Sequence, residues 1–178
     1  MKWISRCQLI GIIGGMLGVL LLAPSVSAGG PKVHKYRNSE IDMPVSLAVG
    51  TVRTPEFAVK HEAYFIMIQA EKRLPFLDMV CMMGITTGPL ELGDCKKANK
   101  ECSLEANWTV LDGEHIVAQG SSTREYDGEY TDKYLFKFLG KFMGEPGKKY
   151  VVEVKFTKDG TPLNGTNPHL IVISVRNH

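Results

Sequence analysis

The side chains able to do chemistry in this 178-residue chain are few and scattered. Cys81, Met82 and Met83 stand together in MVCMMGI, and their soft sulfur atoms would suit copper(I). If the run is a strand, Cys81 and Met83 share a face and Met82 opposes them. The triplet therefore reads as core packing by adaptable methionines rather than as a metal site. Cys95 and Cys102 close the short polar loop DCKKANKEC. In an oxidising compartment three cysteines form one bridge and leave one thiol. Cys95–Cys102 is the expected bridge, with Cys81 paired to either loop cysteine as the open alternative.

Histidines at His34, His61, His115, His169 and His178 are spread singly, and neither an HExxH pair nor a GxSxG elbow occurs. Asp112, Glu114 and His115 crowd together, but in a sequence that reads as a turn and hence as solvated. Cys81 as a nucleophile would need a base and an electropositive setting, whereas its neighbours are Val80, Met82 and Met83. The polar tract from Glu91 to Glu105 reads as a solvated loop. No catalytic residue, cofactor or metal site is expected, and the chain does not read as an enzyme.

These residues must be positioned by the chain beyond its N-terminal segment. Lys2 and Arg6, an apolar run from Leu9 to Leu22, and small Val26 and Ala28 give the layout of an export signal cut after Ala28. A retained anchor is the competing reading, but that run is shorter than the roughly 20 residues a spanning helix needs. No membrane span is expected in the mature chain, and Cys7 precedes the apolar run, so it is not a lipid-attachment site. The whole chain has 21 basic and 19 acidic side chains, and losing Lys2 and Arg6 brings the two counts level. A near-neutral chain lacks the cation surplus that nucleic-acid binding requires. Residues 29–44 read as a flexible, polar, proline-broken arm, and 45–178 as one domain.

Within 45–178 the patterning is β. Val45–Thr51, Phe57–Val59, Ala63–Ala70, Met79–Ile85, Tyr134–Phe142, Tyr150–Phe156 and His169–Val175 read as strands. The run AYFIMIQA is almost continuously apolar, as a strand covered on both faces would be. ANWTVLDGEHIVAQG reads as a hairpin about Asp112-Gly113, with Trp108 and Val110 on one face and Ile116 and Ala118 matching them. In EPGKKYVVEVKF, Tyr150, Val152, Val154 and Phe156 share a face. The Pro146-Gly147 corner ahead of them offers backbone to the Tyr150 hydroxyl, the arrangement of a tyrosine corner in immunoglobulin-like sandwiches. The expected architecture is all-β, a single sandwich of about eight short, mainly antiparallel strands. The sequons at Asn107 and Asn164 read as strand or turn residues.

The order LPFLDMVCMMG, WTVLDGEHIVAQGSS and FMGEPGKKYVVEVKFTKDGTPLNGTNPHLIVI resembles uncharacterised families of small exported immunoglobulin-like β-sandwich proteins of Gram-negative bacteria. The resemblance implies that fold and a periplasmic or secreted location, without implying an activity. Immunoglobulin domains proper carry a core cysteine two residues after the corner tyrosine, where this chain has Val152. Two functions are compatible with these features. One is a non-catalytic binding or adaptor module for a protein or cell-envelope component, using a sheet face, an edge strand or the loops at 86–105 and 121–133. The alternative is an immunity-type inhibitor of a periplasm-acting bacterial toxin. The sequence leaves the ligand and the oligomeric state open.

Overall fold

Alternation is clearest along residues 149–156, and departures from it elsewhere mark buried or irregular places. The computed structural model describes residues 39–85, 95, 101–122 and 128–175. The expected signal, residues 1–28, and the arm residues 29–38 lie outside them, as do much of the loop expected at 86–105 and residues 123–127 of the loop expected at 121–133. The elements are β1 (Ser39–Pro44), β2 (Gly50–Arg53), β3 (Phe57–Ala58), β4 (Ala63–Glu71), α1 (Phe76–Met83), β5 (Ala106–Asp112), β6 (His115–Ser121), β7 (Gly128–Tyr130), β8 (Tyr134–Met143), β9 (Lys149–Phe156) and β10 (His169–Ser174). A 3-10 turn, Thr161–Thr166, separates the last two strands.

Two antiparallel sheets result. One has the order β1-β10-β4-β8-β7, the other β2-β9-β5-β6, with β3 pairing a further stretch of β9. Inward residues of both sheets share one core: Tyr64, Ile66 and Ile68 of β4, Leu170 and Val172 of β10, Val110 of β5, and Tyr150, Val152, Val154 and Phe156 of β9. Each such aliphatic or aromatic burial removes enough apolar surface from water to contribute about 1.5–3 kcal/mol. On the other face of the first sheet Met67, Gln69, Phe136 and Ile171 are also buried. Burial on both faces explains why the β4 run hardly alternates.

The structure corrects three expectations. Met79–Ile85 is not a strand, because Phe76–Met83 is helix α1. Pro75 fixes its entry, Asp78 favours its first turn, and Met79, Val80 and Met83 fall on the face that joins the core. The arm does not extend to residue 44, since Ser39–Pro44 pairs with β10 from Ser39↔Ile173 to Pro44↔His169. Ile41 enters the core there and makes the segment part of the fold. The hairpin loop is Gly113-Glu114, one residue beyond Asp112-Gly113, with Asp112 pairing His115. Gly113 has φ of 62° while Glu114 is not positive, which is the glycine-first, type II′ pattern. The β5–β6 register shifts between Val110 and Leu111, so Ile116 pairs with Leu111 and no longer shares the face of Ala118.

The two sheets also use helix α1 as a seal. Lys137 of β8 is buried on the core side, and its ammonium group donates to the Gly84 carbonyl at the end of α1 at 2.6 Å. Cations are favoured at that pole of a helix. Among the described residues no helix is long and apolar enough to cross a membrane.

Candidate functional site

Trp108 is the middle of the site. Alternation on β5 turns it inward with Val110, and its cross-strand partner on β6 is Gly120. A Cβ at Gly120 would come within 2.7 Å of the indole, so the ring lies over that glycine. From the facing sheet Gly140 approaches still more closely: a Cβ there would meet Cε2, Nε1 and Cζ2 at 2.2–2.4 Å. The indole is thus clamped between two glycines of opposite sheets.

Gly140 reaches the ring because β8 is irregular at that point. Its register with β4 shifts between Ile66 and Met67, so that Gly140 pairs Ile66 and Phe138 pairs Met67, leaving Leu139 as the extra residue. Bulges of this kind bend a strand and re-aim its side chains. Beside the bulge a cleft of about 710 Å³ runs round the β8 edge, lined by Trp108, Gly120, Phe65, Phe138, Leu139 and Lys141 among others. Phe65 and Phe138 form an aromatic pair on its wall, with ring centroids 4.9 Å apart.

Trp108 is only 8% exposed, and its Nε1 has no hydrogen-bond partner among the described residues. Buried donors are nearly always paired, and one left alone costs about 1–3 kcal/mol. The donor is sealed between Gly140 and Gly120, and the aromatic lining of the cleft suits an apolar ligand.

The other sequence-predicted residues sit elsewhere. Tyr150 is buried at the head of β9, and its hydroxyl accepts from the Glu145 N–H at 3.1 Å. The turn it reaches has Pro146 and then Gly147 at φ of 91°, closed by a Lys148 N–H to Glu145 carbonyl bond of 3.0 Å; this is a type II turn. Lys148 also pairs with Asp112 at 3.5 Å, so this turn and the Gly113 hairpin lie at one end of the second sheet. A second tyrosine of the same kind escaped sequence reading. The Tyr64 hydroxyl accepts from the N–H groups of both Lys60, at 2.8 Å, and His61, at 3.0 Å. Phe142 stacks on Tyr64 and touches Tyr150 edge-on, joining the two.

The expected Cys95–Cys102 bridge is overturned: Cys81 is bonded to Cys95, and Cys102 carries the free thiol. Helix α1 is the reason. Met82 at its end accepts the N–H groups of Ser103 and Leu104, which holds Cys102 beside Gly84, while its Sγ donates to the Leu104 carbonyl at 3.4 Å. A bonded Cys81 is neither a nucleophile nor a thiolate ligand. Among the described residues no group of three or more His, Cys, Asp or Glu could hold a metal ion.

His169 pairs through Nδ1 with Asp42 at 2.6 Å, and both side chains are buried. The pair ties β1 to β10. Among the described residues no hydroxyl or thiol is hydrogen-bonded to that imidazole, so the dyad has no nucleophile to activate. Asp42 could not be read as its partner while it was assigned to the arm. Nearby, burial pushes the Glu71 carboxyl up, but hydrogen bonds from Asn167 and Arg73 outweigh it and hold the group below the ordinary glutamate value.

No family model matches the chain, and no curated protein matches it either. Among solved structures, a crystal structure of a protein from Sulfurospirillum deleyianum is similar, with a TM-score of 0.54 and 11% identity over 77% of this chain and 98% of that one. At that identity the likeness is one of fold alone.

Proposed function

We propose that the protein is exported to the periplasm, as its signal-like N-terminus implies, and acts as a non-catalytic binding or adaptor module on an immunoglobulin-like β-sandwich. The observation that carries the binding role is the aromatic cleft of about 710 Å³ along the β8 edge, walled by the Phe65–Phe138 pair and Trp108. The Cys81–Cys95 bridge supports an oxidising compartment, and the tyrosine-to-turn bond at Tyr150 supports the immunoglobulin-like type.

The test uses the protein as exported. Its two tryptophans are Trp3 and Trp108, so processing after Ala28 leaves Trp108 as the sole tryptophan fluorophore. Partners captured from the envelope fraction of its own organism are titrated against that emission. A ligand that shifts the emission, and whose binding is weakened in Trp108→Phe, supports the reading. Capture of a partner that leaves Trp108 unperturbed would move the binding role away from the cleft. Turnover of an ester, peptide or glycan would replace the module with an enzyme. A single tight partner with toxin activity would turn the role into that of an immunity-type inhibitor.

A further inference from the structure

Both lips of the Trp108 cleft are strand edges. β6 is the last strand of its sheet. β8 has β7 beside it only from Leu135 to Lys137, so on that side Phe138–Lys141 has no paired strand among the described residues. An edge of this kind offers main-chain donors and acceptors to an incoming extended chain. Both edges are bulged, one at Leu139 and one beside Val110, and bulges restrict pairing to a short stretch.

The charges along the cleft set its length. Glu129 is level with Phe136 in the β7–β8 register, and Lys141 stands five positions further along β8. The bulge at Leu139 takes up one of those positions, so at the rise of an extended strand the two are roughly 13 Å apart, the span of about four residues. Both line the cleft, and neither forms an ion pair with another described residue. Both charges lie on the face of β8 that carries Phe138, which stands between them and pairs with Phe65, while the Trp108 ring packs against the opposite face at Gly140.

From this arrangement we infer that the cleft takes an extended polypeptide segment. It carries a basic residue near Glu129, an acidic residue near Lys141 about four positions away, so that both face the cleft, and an apolar side chain between them. The inference rests on the binding role proposed above and names the class of ligand.

The test pans a library of short random peptides against the exported protein and against its Lys141→Glu variant, whose substituted side chain is exposed. In parallel, the neutral dye N-phenyl-1-naphthylamine is titrated against Trp108 emission. The expected result is a set of peptides with a base and an acid roughly four positions apart around an aromatic or branched residue. Their affinity falls about three- to tenfold in Lys141→Glu, as expected for reversing a partly exposed charge pair. Panning on the variant replaces the acidic position by a basic one. Peptides indifferent to Lys141→Glu, or no peptides while the dye still quenches Trp108, would overturn the inference and leave the cleft as a binding site for another ligand. No peptide and no dye response would overturn both.

Discussion

Two glycines and two tyrosines show how much individual residues decide in this fold. Gly140→Ala would put a methyl group within 2.2 Å of the Trp108 ring. The ring has no room to retreat because Gly120 backs it, so the substitution is expected to cost about 1–3 kcal/mol by overpacking. Urea unfolding measures the loss, and a displaced Trp108 emission maximum locates it. The tyrosines differ in what their hydroxyls hold. Tyr150 accepts one backbone N–H and Tyr64 accepts two. Tyr150→Phe is expected to cost about 1 kcal/mol and Tyr64→Phe about twice that, with equal losses contradicting the two-donor role. Tyr150 was legible in the sequence because a Pro-Gly turn and an alternating strand flank it. Tyr64 was not, because it opens a run with no visible turn chemistry before it. Gly140 could not be singled out from sequence at all, since its importance arises from an approach between strands of different sheets.

Helix α1 was the element hardest to read. MVCMMGI is apolar throughout, and over so few residues an apolar run does not distinguish a helix from a buried strand. The i, i+1, i+4 placement of Met79, Val80 and Met83 was present but masked by Cys81 and Met82. Misreading the element then led to the wrong disulfide, because cysteine pairing follows the backbone. Peptide mapping without reductant is expected to recover Cys81 linked to Cys95, with Cys102 alkylated. Cys95→Ser should lower stability by about 2–4 kcal/mol, for a bridge spanning 14 residues, while Cys102→Ser leaves the bridge intact. A Cys95–Cys102 peptide would refute this assignment. At the end of β4, Glu71 holds Arg73 and Asn167. Its carboxyl is depressed in the folded protein, so its contribution is full above the unfolded value and is lost as pH falls through the folded one. Stability should therefore decline as pH falls below the ordinary glutamate value, and Glu71→Gln should flatten that decline in urea titrations carried down through the carboxylate range.

For the molecule as a whole, alternation in β5 and β9 and the apolar runs of β4 and β10 were enough to announce a β protein, and the two antiparallel sheets bear that out. What it could not announce was β1, because SEIDMP is short, polar at alternate positions and ends in proline. Its place beside β10 depends on a partner more than 120 residues away. A chain begun at Val45 would lack Ile41 from the core and Asp42 from His169. It is expected to unfold at lower urea than one begun at Gly29 and to self-associate through the β10 edge thus exposed, as sedimentation would show. Equal stability would restore the longer arm.

The order of the strands has a bearing on the protein's biosynthesis. β9 lies between β2 and β5, and β10 between β1 and β4. The strands made last are thus interior to both sheets. A chain that emerges N-terminus first can form the β5–β6 hairpin and the β4–β8 pair, but neither sheet can close until the final residues are free. Early pairs therefore stay isolated until the last two strands arrive, and both sheets are completed in a single late step.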